Sequence, residues 1–315
     1  MQEANLNKDP KEFDNEIDFR SLFYILLEGK WIVISLTAFV SIIGVIYSLY
    51  LPNIYQSKAI LVPTNPPSSI SGASGSYNNL AGIAGIRISP VSDEGNSVKA
   101  LKKITTLSFF ENNILPNIYL PNLIAIKSWN SETNTLIYDE KIYDTNSNTW
   151  IRDNSFSTQK IPSAQESFKK FKSDHFALST DEDTYFTTLS IKHESPLIAK
   201  QWVELIVNEV NDFYRQKDKL ETEAAASYLN EQISMTGLSE IKQVLAQLLQ
   251  EETKKLTLIE ANQFYVFDYI DPPVAMEQKS EPKRLLISIF SSLLGMVLSI
   301  LLVLIRHYVF REKTL

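Results

Sequence analysis

Two uninterrupted apolar runs, one near each end, constrain this chain more than any other feature. Trp31 to Ser57 contains no charged residue and is bracketed by Lys30 and Lys58. Its core, WIVISLTAFVSIIGVIYSLYL, stops at Pro52. At about 1.5 Å rise per residue such a run reaches about 32 Å, enough for the hydrocarbon core of a bilayer. Trp31, Tyr47 and Tyr50 sit near its ends, where amphipathic rings favour the interface. The second run, LLISIFSSLLGMVLSILLVLI, spans Leu285 to Ile305 between Arg284 and Arg306. A buried helix of a soluble protein is the alternative for each, but uninterrupted runs this long are uncommon away from membranes. A cleaved signal peptide suits the first run poorly, because a long polar segment with seven acidic side chains precedes it.

The expected layout follows from those spans. Residues 1–30 form a cytoplasmic N-terminal segment, 31–51 the first transmembrane helix and 52–284 a domain on the far side of the membrane. Residues 285–305 form the second transmembrane helix and 306–315 a cytoplasmic tail. Two spans put both termini on one side. Arg20, Lys30, Arg306, Arg311 and Lys313 flank the spans there, against Lys58, Lys279, Lys283 and Arg284 on the other. That charge asymmetry favours cytoplasmic termini by a narrow margin. Ser291, Gly295 and Ser299, spaced by four, share one helix face and make a strip for close helix packing or oligomerisation in lipid. Thr37 with Ser41, and Gly44 with Ser48, form a broken version in the first span.

Between the spans the pattern is α+β. YQSKAILVPT (Tyr55 to Thr64) reads as a strand closed by prolines. A glycine- and serine-rich loop follows and contains NNLAGIAGIRIS. Its Gly82 and Gly85 lack the lysine of a phosphate loop, so turn or packing roles fit better. Ser97 to Asn113 has helical apolar spacing. Short strands fit around Leu136 to Tyr143 and Asn148 to Arg152, and a short helix ends near Phe171. Strands follow at Ala177 to Ser179 and Phe186 to Lys192. Ser195-Pro196 opens a helix that continues to about Met235, and Gly237 is its plausible break. A second helix runs from Ser239 to about Asn262, and Phe264 to Asp271 reads as a returning strand. The α/β base is thus residues 52–195 and 263–284, with long helices at 196–262. Helices this long suggest a helical hairpin or packing against other copies.

Chemistry is sparse. The chain has no cysteine, which excludes disulfides and thiolate chemistry. Its three histidines, His175, His193 and His307, are far apart in sequence, so a histidine-rich metal site is not expected. The net charge of −7 argues against nucleic acid as a partner. There is no G-x-x-x-x-G-K-[ST] and no G-x-S-x-G. Asp181, Glu182 and Asp183 cluster, but consecutive acids in a turn are mostly solvent-facing, and paired-carboxylate hydrolysis there is remote. No catalytic residue, cofactor or metal is expected.

Several runs carry a family resemblance. They are YLNEQI, then LLQEETKKLTLIEANQFYVFDYIDPPVAMEQKSEPKR before the second span, with WIRDNSFSTQKIPSAQESFKKF, LSIKHESPLIAKQWVELIVNEVN, YQSKAILVPT and NNLAGIAGIRIS upstream. Together they resemble the polysaccharide co-polymerase (Wzz) family of O-antigen chain-length determinants. The most specific part is the proline-bearing connector with Pro272, Pro273 and Pro282. The resemblance implies two transmembrane helices flanking a periplasmic α/β base with a long extended helical hairpin. It also implies ring-like homo-oligomers in the bacterial inner membrane that are not enzymes. Their implied role is to regulate lipopolysaccharide chain length with the O-antigen polymerase, with the growing polysaccharide and the lipid bilayer as further partners. Relatives acting in capsule export, or as activators of a separate tyrosine kinase, are the alternatives.

Overall fold

The computed structural model describes residues 19–64, 96–152, 160–181, 183–184 and 186–307. The chain divides into two compact units, Met1–Leu51 with Pro282–Leu315, and Pro52–Glu281.

The first unit is helical. A short helix, α1 (Phe19–Glu28), leads through Gly29 into α2 (Lys30–Tyr50), which pairs with α8 (Arg284–Ile305). Both long helices are long and apolar enough to cross a membrane. They turn Phe39, Ile42, Ile46, Phe290, Leu293 and Leu301 outward. In water such an array would be an adhesive surface. Lipid is the solvent that suits it, since a helix satisfies its own backbone there.

The second unit is built on a four-stranded antiparallel sheet in the order β6 (Phe176–Thr180), β7 (Thr187–His193), β1 (Tyr55–Pro63), β8 (Phe267–Asp271). Its alternation places Ala59, Leu61, Leu189, Ile191 and Phe267 in the core. Against them lies the first half of α6 (Pro196–Met235), through Ile198, Trp202, Val203, Ile206, Val207, Val210 and Tyr214. Each such buried side chain contributes about 1.5–3 kcal/mol. Beyond Tyr214 only Thr222 of α6 is buried, and the helix instead pairs with α7 (Ser239–Ala261). At about 1.5 Å per residue the 40 residues of α6 extend about 60 Å. The break at Thr236–Leu238 matches the expected interruption, and Gly237 stands in open space.

Two expected elements have different limits. The apolar periodicity of Ser97 to Asn113 predicts one helix, but α3 (Asn96–Ile104) stops at a threonine pair. The Thr105 and Thr106 hydroxyls donate to the carbonyls of Lys102 and Lys103, and Thr106 then caps the turn beginning at Leu107. Side-chain bonds of this kind compete with the helix ladder. The strand expected from Phe264 begins instead at Phe267. The buried Asn211 side chain takes the amides of Val266 (2.7 Å) and Phe267 (3.0 Å) and donates to the Phe267 carbonyl (3.0 Å).

Residues 127–151 hold a tandem repeat that apolar patterning alone does not expose. KSWNSETNTLI and KIYDTNSNTWI, starting at Lys127 and Lys141, align position by position. Each forms a small hairpin, β2 (Ile126–Asn130) with β3 (Thr135–Tyr138) and β4 (Tyr143–Asp144) with β5 (Thr149–Trp150). The registers are equivalent, with Asn130 opposite Thr135 and Asp144 opposite Thr149. In each, an Asx side chain closes the turn and an asparagine, Asn134 or Asn148, takes the left-handed conformation it tolerates best.

Replacing Asn211 by Ala strands two buried amides and one buried carbonyl. We expect a loss of about 3 kcal/mol, read as a lower melting temperature of the full chain.

Candidate functional site

The strip expected from Ser291, Gly295 and Ser299 packs against α2 of the same chain. A Cβ on Gly44 would overlap the Ser291 side chain. A Cβ on Gly295 would lie 3.0 Å from Val40 Cβ and 3.2 Å from Thr37 Cα. Ser299 is fully buried, with its hydroxyl 3.3 Å from that of Thr37. At the end of the seam Val303 fills the space beside Gly29, at the α1–α2 corner. Small residues therefore set the approach of two antiparallel helices, the kind of packing that lipid favours where tails compete equally with apolar side chains. The hydroxyls of Ser41, Ser288, Ser291 and Ser299 donate back to carbonyls of their own helix, so none is stranded in the seam. Arg284 Nε donates to the Ser48 carbonyl (3.3 Å), near the C-terminal end of α2 where a cation is favourable.

In the second unit the segment after β8 is tied to the start of β1. Pro272 is exposed and Pro273 buried. Val274 accepts a hydrogen bond from the Ser57 hydroxyl (2.9 Å), Ile54 and Glu281 exchange backbone bonds, and Lys192 pairs with Glu281 (2.5 Å). Pro282, half-buried in the first unit, accepts from the Arg284 amide (2.9 Å). Gly82, Gly85 and Glu182 lie outside the described residues. Asp181 closes a turn by accepting from the amides of Asp183 and Thr184, and these bonds hold its carboxyl below the usual carboxylate range.

A polar cluster in the core was not anticipated. The hairpin of β6 and β7 brings His175 and His193 to a ring separation of 5.6 Å, although they are distant in sequence. Reading the two strands as one hairpin would have revealed the meeting. Both rings contact Trp202 of α6 edge-on, at 5.5 and 5.0 Å. His175 Nδ1 donates to the Lys192 carbonyl (2.7 Å). His193 Nε2 donates to the Asn122 carbonyl (3.1 Å), and its Nδ1 accepts from the Ser195 amide (2.9 Å). Asn122 belongs to α4 (Leu120–Ile124), and its side chain accepts from the Tyr138 hydroxyl (2.7 Å). One short helix thus links the tandem hairpins to the strand-to-helix corner. Burial, with His175 alongside, pushes the His193 imidazole down to about 3. Burial likewise lowers His175 and raises the neighbouring Glu194 carboxyl. No group of three metal-ligating side chains occurs among the described residues.

The architecture is that of a mixed helix-and-sheet protein with two candidate membrane-spanning helices. Comparison with known proteins finds a match over part of the chain: the family model described as Wzz, chain length determinant protein, matches residues 15–107. The resemblance seen in the sequence therefore holds over that segment, which includes α1, α2 and β1. The C-terminal runs that also carry it lie outside the match. No curated protein matches the chain by sequence. Among solved structures, a full-length bacterial polysaccharide co-polymerase is 12% identical, with a TM-score of 0.42, covering 95% of this chain and 100% of its own. A fragment of WzzB, the polysaccharide co-polymerase from Salmonella Typhimurium, is 11% identical, with a TM-score of 0.31, covering 73% of this chain and 100% of its own.

Two outcomes follow. The chain has no native cysteine, so Thr37→Cys with Ser299→Cys should form an intrachain disulfide on oxidation, identified by mass spectrometry of the linked peptides. Adding Gly295→Leu should abolish it. The second concerns pH. His193 has a folded value of about 3, below its ordinary 6.5, so the unfolded chain binds a proton that the folded one refuses. Its contribution is complete above pH 6.5 and is lost as pH falls towards 3. Glu194, raised by burial, works in the opposite sense, because the folded state favours its protonated form. His193→Gln should make the melting temperature less dependent on pH across that window.

Proposed function

We propose that this protein is a non-catalytic regulator of O-antigen (lipopolysaccharide) chain length. It acts as an oligomeric inner-membrane co-polymerase with the O-antigen polymerase. The observation that carries this reading is the match of residues 15–107 to the chain length determinant family. The two apolar helices, which suit membrane anchoring, support it. In the proposed layout residues 1–30 and 306–315 are cytoplasmic, 31–51 and 285–305 span the membrane, and 52–284 lie in the periplasm. Pro272, Pro273 and Pro282 stiffen the connection to the second span, since proline fixes φ and removes a donor. The seam of Ser291, Gly295 and Ser299 holds the two spans of one protomer together. Self-association then draws on surfaces outside that seam.

Deletion of the gene and electrophoresis of the lipopolysaccharide tests the reading. The expected result is loss of a preferred chain length, restored by the wild-type chain and not by one carrying Gly295→Leu. An unaltered ladder would sink the proposal, and an unaltered ladder with loss of capsule would point to polysaccharide export instead.

A further inference from the structure

One nitrogen in the core has two candidate partners and is bonded to only one of them. His193 is buried, its side chain fully so. Its Nδ1 accepts from the Ser195 amide at 2.9 Å, and its Nε2 donates to the Asn122 carbonyl at 3.1 Å. That pattern defines a neutral ring with its proton on Nε2. Glu194 Oε2 lies 3.9 Å from the same Nδ1, is buried, and has no hydrogen-bond partner among the described residues. A buried carboxylate oxygen without a donor is costly and calls for an explanation.

We propose that Glu194 and His193 form a proton-operated latch at the foot of α6, in which uptake of one proton transfers His193 Nδ1 from the Ser195 amide to Glu194. The proton goes to Glu194, whose buried Oε2 has no donor and whose carboxyl is raised by burial, whereas burial keeps the His193 ring neutral well below pH 5. Oε2–H becomes a donor beside Nδ1 and competes with the Ser195 amide for its single lone pair. The Ser195 amide then loses its acceptor. No covalent bond other than that O–H is made.

The neighbouring charges are few. Lys170 of α5 (Ala164–Lys170) and Asp174 act on both His175 and Glu194, and they pair with each other at 3.1 Å. His175 acts on His193. From α6 the contact is the apolar Trp202 ring. The consequence reaches past the corner itself. Ser195 begins α6, whose Ala199 amide bonds to the Ser195 carbonyl (3.0 Å). His193 also grips Asn122, which holds Tyr138 of the tandem hairpins. Loosening this ring therefore relaxes both the first turn of α6 and the seat of the hairpins.

Hydrogen–deuterium exchange of the full-length chain in nanodiscs, at pH 7.5 and pH 5.0 and corrected for intrinsic exchange, reads the latch directly. In the wild type, peptides spanning residues 193–203 and 120–124 should exchange at least tenfold faster at pH 5.0. Glu194→Ala removes both the proton acceptor and the competing donor, so it should be protected equally at the two pH values. Glu194→Leu, of similar bulk, should match it and substitutes if the alanine variant does not fold. Equal protection of the wild type at both pH values overturns the proposal. So does an acid response that survives in either variant. The test does not involve polysaccharide, so its outcome is independent of the proposed function.

Discussion

The second unit depends on one contact, the burial of the first half of α6 on the four-stranded sheet. Trp202, Val203, Ile206, Val207 and Val210 share one core with Leu61, Leu189, Ile191 and Phe267 of the sheet. The sheet is antiparallel throughout, so one face of every strand is committed to this helix. The rest follows from where that commitment ends. After Tyr214 the helix carries Lys, Glu, Gln and Ala in place of large buried groups, and α7 becomes its partner. Arg215 marks the change. Its guanidinium donates to the carbonyls of Asn262 (2.9 Å) and Gln263 (2.5 Å), satisfying the end of α7 where it joins the base. Further out, Lys219 and Glu260 bridge the two helices at 2.5 Å. That pair is exposed, so screening leaves it a minor contributor to stability.

The first unit solves a different problem with different residues. Lipid offers no gain for burying one apolar side chain against another, so close approach must come from small residues and hydroxyls. Gly44, Gly295 and Ser299 supply it on the inner face, while bulky apolar groups occupy the outer one. The same residue types in a soluble core would leave poor packing, since a glycine contributes no side chain and costs helix stability. Their presence at four-residue spacing is a statement about solvent as much as about contact.

The parts legible in the sequence are those where one periodicity governs a long segment. The two apolar helices fall within a residue of their expected starts, and α6 begins at Pro196 after a serine, as the local chemistry dictates. Legibility fails where a single side chain overrides a pattern. Asn211 is one polar residue on an apolar helix face, and it sets the start of β8 from far away in sequence. Thr105 and Thr106 end a helix whose apolar spacing continues past them. Short strands are legible near Leu136 and Trp150, but their pairing into two equivalent hairpins is not, because strands of two to five residues carry too little alternation to fix it. There the signal lies in the repeated Asx and asparagine positions.

The histidine cluster shows why composition misleads about polar chemistry. Distant histidines make a poor case for a metal, and that inference is sound as far as spacing goes. Antiparallel pairing nevertheless sets His175 opposite the end of β7, and burial gives both rings properties that exposed histidines lack. Each ring satisfies backbone groups that a strand-to-helix corner leaves unpaired: the Lys192 carbonyl, the Asn122 carbonyl and the Ser195 amide. A neutral imidazole suits His193's position because it donates on one side and accepts on the other, where an amide side chain must reach both with a shorter span. The cost is a proton affinity suppressed by burial in the ring and raised in the adjoining carboxyl. A change in the proton count of the cluster changes which of these backbone groups the ring can satisfy. Sensitivity to acid therefore follows from the way the corner is built, whatever compartment the domain faces.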